Sequence, residues 1–230
     1  MRPLWVVIPT HNRAELLKQA LNSVLVQTRA PDGVVVVDDG SEDCTLRWLA
    51  TFNGQLTVAH LPTCRGVNVA RAVGSAMVPP DAIVVELDDD DVLVPEALAL
   101  VESAFEKLGV RYAYGNYVRF TTGGHEQLVE NPPYYPWMFR THGGWTGGLK
   151  AYTKGASDAI HGWRAVEFPG GDYGFALRVE DKFCAQGIVH IPEVLVRVRV
   201  SPGGISACYE TQQNDMVDAL CYAAKRGKLL

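Results

Sequence analysis

The 230-residue sequence predicts an α/β fold, a mostly parallel sheet flanked by helices. Three observations carry that expectation. Short β-branched runs alternate with stretches of helical spacing from residue 4 to about residue 110. That βαβα order builds parallel sheets, because each right-handed crossover helix packs back on the sheet it left. Polar clusters at His11-Asn12-Arg13, Asp38 to Ser41 and Asp88 to Asp91 follow three of the strands. Open α/β sheets bind ligands beyond the carboxyl ends of their strands.

The elements follow in order. Leu4–Ile8 is a short apolar run closed by Pro9 and reads as a buried strand. Asn12-x-x-Glu15 has the spacing of a capping box, and Leu16, Leu17, Ala20, Leu21, Val24 and Leu25 recur at helical spacing. Val34–Val37 is a second strand. Asp38-Asp39-Gly40-Ser41 ends it, with Gly40 expected at positive φ and Ser41 as the next helix N-cap. Leu46, Leu49 and Ala50 mark that helix, Leu56–Leu61 a third strand, and Val67–Val78 a helix stopped by Pro79-Pro80. Ile83–Leu87 is a fourth strand. Pro95 suits the first turn of a helix whose apolar face is Leu98, Val101, Ala104, Phe105 and Leu108.

The pattern changes after Arg111. Tyr112–Phe120 and His125–Glu130 read as a hairpin around Thr121-Thr122-Gly123-Gly124. Asn131–Trp145, rich in Pro, Gly and aromatic residues, is long for a connection and is expected to act as a lid. Its Tyr134, Tyr135, Trp137 and Trp145, with Trp163, read either as stacking platforms for a sugar ring or as packing anchors. Helices are expected at Ala156–Ala159, Tyr173–Gln186 and Tyr209–Lys225, and strands at Ile188–Ile191 and Val194–Val200. No linker composition appears. The expected organisation is one domain over residues 1–230, with halves 1–110 and 111–230.

Composition narrows the partners. Lys and Arg number 21 against 26 Asp and Glu, a net charge of −5. A general nucleic-acid coat needs the opposite sign, so nucleic acid is not an expected partner. The 5 cysteines, at 44, 64, 184, 208 and 221, are odd in number and form no C-x-x-C pair. That favours reduced thiols in a cytoplasmic protein over a disulfide framework or a zinc site. Leu4–Ile8 is too short for a signal peptide, and no window nears the roughly 18 apolar residues of a membrane span, so no integral membrane segment is expected.

Asp88-Asp89-Asp90-Asp91 is the most informative stretch. Four carboxylates beside a buried strand repel one another unless a cation or hydrogen bonds compensate. Side chains alternate along an extended chain, so Asp88 and Asp90 are expected to share a side. One can hold a sugar hydroxyl and the other a divalent ion. Oxygen ligands completed by waters and phosphates suit Mg²⁺ or Mn²⁺. The alternative is a solvated acidic loop ahead of the Pro95 helix. Asp38 to Ser41 reads equally as a strand-to-helix turn or as a carboxylate aimed at a nucleobase or ribose. His11 alone is a polar loop residue, and Arg71 has a solvated helix position or a phosphate contact as its two readings. The sequence lacks G-x-x-x-x-G-K-[ST], G-x-G-x-x-G after the first strand, G-x-S-x-G and H-E-x-x-H. P-loop NTPases, dinucleotide dehydrogenases, α/β-hydrolases and zinc proteases lose support accordingly.

The ordered set of motifs resembles a family 2 glycosyltransferase of the GT-A fold. It comprises Val6-Val7-Ile8-Pro9-Thr10-His11-Asn12-Arg13, Gln27-Thr28, Val36-Val37-Asp38-Asp39-Gly40-Ser41, Gly66-x-Asn68-x-Ala70-Arg71-x-x-Gly74 and Leu87 to Asp91 followed by Pro95. The second half adds His161-Gly162-Trp163-Arg164, Gly171-Asp172-Tyr173 through Arg178, Ile191-Pro192-Glu193 and Arg199-x-x-Pro202-Gly203-Gly204-Ile205-Ser206. The resemblance implies a nucleotide-binding sheet fused to a smaller acceptor-side region. It also implies an inverting transfer from a nucleoside-diphosphate-sugar donor, with a UDP-sugar the leading choice, to a glycan or other hydroxyl acceptor.

By position, the resemblance places Pro9 and His11 along the base pocket, Asp39 on the base, Arg71 near the nucleotide and Asp88 on the ribose or a bridging hydroxyl. It places Asp90 on a divalent Mn²⁺ or Mg²⁺ bound to the diphosphate. The family's acidic pair at the start of a late helix reads Gly171-Asp172 here, so Asp172 inherits the role of catalytic base; a helix N-cap is its alternative. Two departures stand out. Ser201 occupies the position of a family histidine after Arg199-Val200, and His11 replaces the usual aromatic residue of the first loop. A nucleotidyltransferase releasing pyrophosphate and a non-catalytic nucleotide-sugar or glycan-binding module are the competing readings.

Overall fold

A computed structural model describes residues 1–52, 54–136, 147–165, 171–183 and 187–201. The first half runs β1 (Leu4–Thr10), α1 (Ala14–Leu25), β2 (Gly33–Asp39), α2 (Thr45–Thr51), β3 (Thr57–Leu61), α3 (Val67–Ala76), β4 (Ile83–Glu86), β5 (Val92–Leu93) and α4 (Ala97–Glu106). The second half adds β6 (Tyr112–Phe120), β7 (Glu126–Val129), β8 (Lys150–Thr153), α5 (Lys154–Ala159), α6 (Gly171–Phe183) and β9 (Ile188–Arg199).

All strands join one sheet in the order β3-β2-β1-β4-β8-β6-β9-β5, with β7 on β6. β3, β2, β1 and β4 are parallel. Beyond them the direction alternates: β8 is antiparallel to both β4 and β6, and β9 is parallel to β6. This is a mostly parallel sheet flanked by helices, as the sequence predicts. No helix among the described residues is long and apolar enough to cross a membrane.

β1 is buried on both faces, which is why it reads as an unbroken apolar run rather than an alternation. Its side chains divide between two cores. Val6 and Ile8 join Leu17, Leu21, Leu98 and Val101 on one face. Val7 joins Val35, Val37, Ala70, Trp163 and Phe175 on the other. Gly74 lets α3 approach that second face, since a Cβ there would lie 2.4 Å from Val7 Cγ1. The close approach carries Arg71, one helical turn earlier, onto the sheet edge.

Several local expectations change in the tertiary setting. The capping box does not form: Arg13 is the α1 N-cap without a side-chain bond, and Asn12 has φ 55°. Asn12 Oδ1 instead accepts from the backbone N–H groups of Glu42 and Asp43, while Asp43 Oδ2 accepts from Ala14 N at 3.3 Å. The β1 and β2 loops thus cap each other, a long-range solution that local spacing does not encode. Ser41 is likewise no N-cap. α2 starts at Thr45, and Ser41 Oγ accepts from Asn12 N at 2.8 Å. Gly40 does take positive φ, 72°.

The hairpin of β6 and β7 forms as expected. The two late strands are one, β9, whose register against β6 shifts around Gly115 to Tyr117. β8 and β5 carry no sequence expectation. Cys44 and Cys64 are free thiols. The remaining cysteines and the Tyr209–Lys225 helix lie outside the described residues, as do 137–145 of the expected lid.

Candidate active site

The β1, β2 and β4 strands end at one edge, because Thr10 pairs in register with Asp38 and Val7 with Glu86. The acidic run follows β4 as a turn, closed by Asp91 N donating to Asp88 O at 3.1 Å. Alternation along an extended strand therefore does not apply. Asp88 faces one way, toward Arg71 Nη2 at 2.6 Å. Asp89 and Asp90 meet instead at Arg13 Nη1, at 3.0 and 2.8 Å. Asp89 also accepts from the Thr10 hydroxyl at 2.7 Å, and Asp91 accepts from Arg199 N at 2.9 Å.

The electrostatics follow this division. Burial alone would raise the Asp88 pKa, but Arg71 and then Lys150 outweigh it and hold it well below the usual carboxylate range. Asp89 has too little compensation for its burial and is pushed up to about 6. Burial also raises Asp90, opposed by Arg13 and reinforced by Asp88, and it raises Asp91 more strongly. On the Asp89–Asp91 side burial is the first cause of each rise, and Arg13 opposes it at Asp89 and Asp90.

Asp172 lies in the first turn of α6. Both its oxygens face cations: Oδ1 accepts from Arg71 at 2.8 Å and Oδ2 from Lys150 at 2.6 Å. Arg71, expected on a solvated helix face or near a phosphate, is 5% exposed and links Asp172 to Asp88. Its guanidinium lies 4.9 Å from the centre of the Trp163 ring. Burial works against that charge, and Asp172, Asp88 and Glu86 together outweigh it and raise its pKa. Beneath lies Glu86, which accepts from Tyr152 at 2.5 Å and Trp163 at 3.2 Å. Burial pushes Glu86 up to about 7, with Arg71 pulling the other way.

Asp39 points into the loop before α3. Its carboxylate accepts from Arg65 N and Gly66 N, each at 2.7 Å, and so holds the turn that starts that helix. His11 Nδ1 lies 2.7 Å from the Asp39 carbonyl, and Pro9 is buried in β1. The edge thus gathers Pro9, His11 and Asp39 at the ends of β1 and β2. Asp88 and Asp90 lie in the turn after β4, and Arg71 and Asp172 bridge from α3 and α6. Trp163 is a packing anchor, stacked 4.3 Å from Phe175 and buried. Tyr134 donates to Glu180 at 2.6 Å, Tyr135 is half exposed, and Trp137 and Trp145 lie outside the described residues.

Lys150 and Glu86 are the site residues that sequence reading missed. Each had one signal, a single charge inside an apolar strand run: Ile83-Val84-Val85-Glu86-Leu87 and Leu149-Lys150-Ala151-Tyr152. Buried charges are paired, so an isolated one in a core strand announces a partner elsewhere.

The family model described as glycosyl transferase family 2 matches residues 5–168, most of the chain and the whole strand edge that carries Pro9, Asp39, Asp88 and Asp90. The chain belongs to that family. Solved structures place the family 2 fold in context. A mannosyltransferase from Pyrobaculum calidifontis, in complex with GDP-Man and Mn²⁺, superposes with a TM-score of 0.72 at 21% identity, over 98% of this chain and 65% of that one. S. aureus TarS 1-349 with UDP-GlcNAc superposes with a TM-score of 0.70 at 20% identity, over 89% of this chain and 60% of that one. Among curated proteins, validoxylamine A glucosyltransferase of Streptomyces hygroscopicus subsp. limoneus is 42% identical over 60 residues, 25% of this chain and 13% of that protein. An uncharacterised glycosyltransferase of Nostoc sp. is 33% identical over 104 residues, 44% of this chain and 32% of that protein. The family 2 chain described here spans a third or less of the length of these curated relatives.

Proposed function

We propose that this chain transfers a glycosyl group from a nucleoside-diphosphate sugar to an acceptor hydroxyl by a single inverting displacement, with Asp172 as the base. The observation that carries the reading is the meeting of Asp172 with Asp88 across Arg71. It brings a carboxylate from the acceptor half against the donor edge of a family 2 domain. UDP-GlcNAc and GDP-Man bound to structural neighbours support the donor class.

In this reading Pro9, His11 and Asp39 border the base, and Asp88 takes a ribose or bridging hydroxyl. The acceptor hydroxyl approaches C1 opposite the leaving diphosphate and passes its proton to Asp172 as it attacks. A carboxylate oxygen carries two lone-pair sites, so Arg71 and Lys150 orient Asp172 while leaving it able to accept. The leaving diphosphate gathers negative charge, and Arg71, a buried cation paired with Asp88 at the strand edge, can offset it.

A divalent ion fits the turn. Asp90 is a partly exposed carboxylate, 24%, whose charged form burial and Asp88 both disfavour, and a cation there would favour it. An ion at that place would be held by one carboxylate, waters and substrate phosphates. Asp90 would hold Mn²⁺ or Mg²⁺, which when bound neutralises charge on the diphosphate.

The test is Asp172→Asn, which keeps size but cannot take a proton. Nucleoside diphosphate affinity is expected within about threefold of wild type, and the transfer rate reduced by roughly 10²–10⁴, the usual worth of a positioned base. Release of nucleoside diphosphate rather than pyrophosphate identifies the reaction. An Asp172→Asn protein that transfers at the wild-type rate removes Asp172 from the chemistry.

A further inference from the structure

Lys150 places a charge in the middle of a sheet. β8 lies between β4 and β6, and Lys150 pairs in register with Glu86 on one side and Tyr114 on the other. The residue is 3% exposed. A buried ammonium loses its hydration and needs carboxylate partners in return. Nζ lies 2.6 Å from Asp172 Oδ2 and 3.9 Å from Asp88 Oδ2. Arg71 meets the opposite oxygens of the same two groups, Asp172 Oδ1 at 2.8 Å and Asp88 Oδ1 at 2.6 Å. The four side chains close a ring of alternating charge.

The two cations divide the work unequally. Arg71 spreads its fork over both carboxylates and leans on the Trp163 ring. Lys150 is a point charge drawn toward Asp172. It ties a carboxylate on α6 to a strand of the sheet, the element that also carries the donor edge. Were Lys150 neutral, Arg71 alone would separate two like charges, each about a third exposed, which repel.

We propose that Lys150 is a positioning residue for the base. It fixes the Asp172 carboxylate relative to Asp88 and the donor edge, and it acts on turnover only through Asp172. The proposal rests on the reading of Asp172 as base. A base must sit within hydrogen-bond reach of the proton it takes. Misplacement by about 1 Å costs on the order of 10²-fold in rate.

The experiment is a double-mutant cycle on the full chain with UDP-GlcNAc and GDP-mannose as probes, Mn²⁺ present, reading UDP or GDP release to water. Lys150→Met is expected to lower kcat about 10²-fold and to leave UDP or GDP affinity within about threefold. In the Asp172→Asn background the same substitution is expected to change kcat less than about threefold, because residues acting as a unit are non-additive. Lys150→Arg, which keeps the charge, is expected to stay within about tenfold of wild type.

Losses that multiply across the cycle overturn the proposal, as does a Lys150→Met protein with full rate while Asp172→Asn is impaired. A full-rate Asp172→Asn protein overturns the base reading and this proposal together. A second measurement needs no turnover. In a crystal structure of Lys150→Met, or of Lys150→Gln if the first does not fold, the Asp172 carboxylate is expected to shift by about 1 Å or rotate off Arg71. A carboxylate unmoved from its wild-type position overturns the positioning role.

Discussion

Two ends of one acidic turn use the same pair of residue types and do different things with them. At the outer end Arg13 meets Asp89 and Asp90 with its side chain 46% exposed. At the inner end Arg71 meets Asp88 and Asp172 with its side chain 6% exposed. Exposed ion pairs contribute little, because water screens them and ordering two long side chains costs entropy. Buried pairs contribute little net stability either, yet breaking one leaves a charge stranded in the protein. The two ends differ in the burial of the cation and not of the carboxylates: Asp89 and Asp90 are 7% and 24% exposed, Asp88 and Asp172 36% and 33%. The inner end thus has a fixed, buried cation between two partly solvated carboxylates, and the outer end an exposed cation against more buried ones.

Removing the inner cation should have the largest effect. Arg71→Met leaves Lys150 alone against Asp88 and Asp172, and we expect a loss of about 3 kcal/mol in urea denaturation, the low end for a broken buried pair because both carboxylates are about a third exposed. An Arg71→Met protein within about 1 kcal/mol of wild type would show that the two ends are equivalent.

The next effect is a pH dependence at the inner end, carried by Glu86 and reaching higher pH than that of Asp89 at the outer end. Glu86 titrates from 4.5 to about 7 on burial. The folded chain therefore holds a proton that the unfolded chain releases between those values. The stabilisation is complete below 4.5 and is lost as pH rises through about 7. The shift is worth about 3 kcal/mol in all. Glu86→Gln lacks the titration, so its melting temperature relative to wild type should climb from pH 5 to pH 8. A difference that stays flat across that range would place the Glu86 proton elsewhere.

At the outer end the change should appear in binding rather than folding. Asp90→Ala is expected to weaken GDP or UDP binding at least tenfold in Mn²⁺, about 1.4 kcal/mol, and to leave binding in chelator unchanged. Calorimetry with and without Mn²⁺ separates the two. Equal Mn²⁺-dependent affinity in Asp90→Ala would take the ion away from that residue. The smallest effect is Arg13→Met: Asp89 is buried but sits at about 6 even beside Arg13, so it can take a proton once the cation is gone, and we expect a loss of about 1 kcal/mol of stability. A larger loss would mean that the outer end is also structural.

The sequence resolves the two halves of the chain unequally. Through residue 106 every strand and helix but the two-residue β5 was legible, because parallel strands buried on both faces are written as continuous apolar runs and their helices as periodic ones. β8 was not. It is four residues long, and its run carries a lysine. Its role depends on insertion between β4 and β6, which come from distant parts of the chain. The site shows the same split. The acidic turn, Asp39 and Asp172 could be picked out as chemically distinctive residues in recognisable places. Lys150 and Glu86 could be seen only as isolated charges in apolar runs.

Residue order therefore settled the parallel part of the sheet and the edge at which the polar clusters gather, since these follow from periodicity and strand direction. It left open which charges meet. The turn after β4 set Asp88 apart from Asp90, and the close approach of α3 at Gly74 brought Arg71 onto the sheet edge. The position of α6 then brought Asp172 to both Arg71 and Lys150. Coulomb interactions depend on distance and local dielectric, and both are properties of the assembled chain rather than of any segment. The pairing of Asp172 with two cations, and with it the geometry of the proposed base, exists only once residues 71, 88, 150 and 172 are folded together.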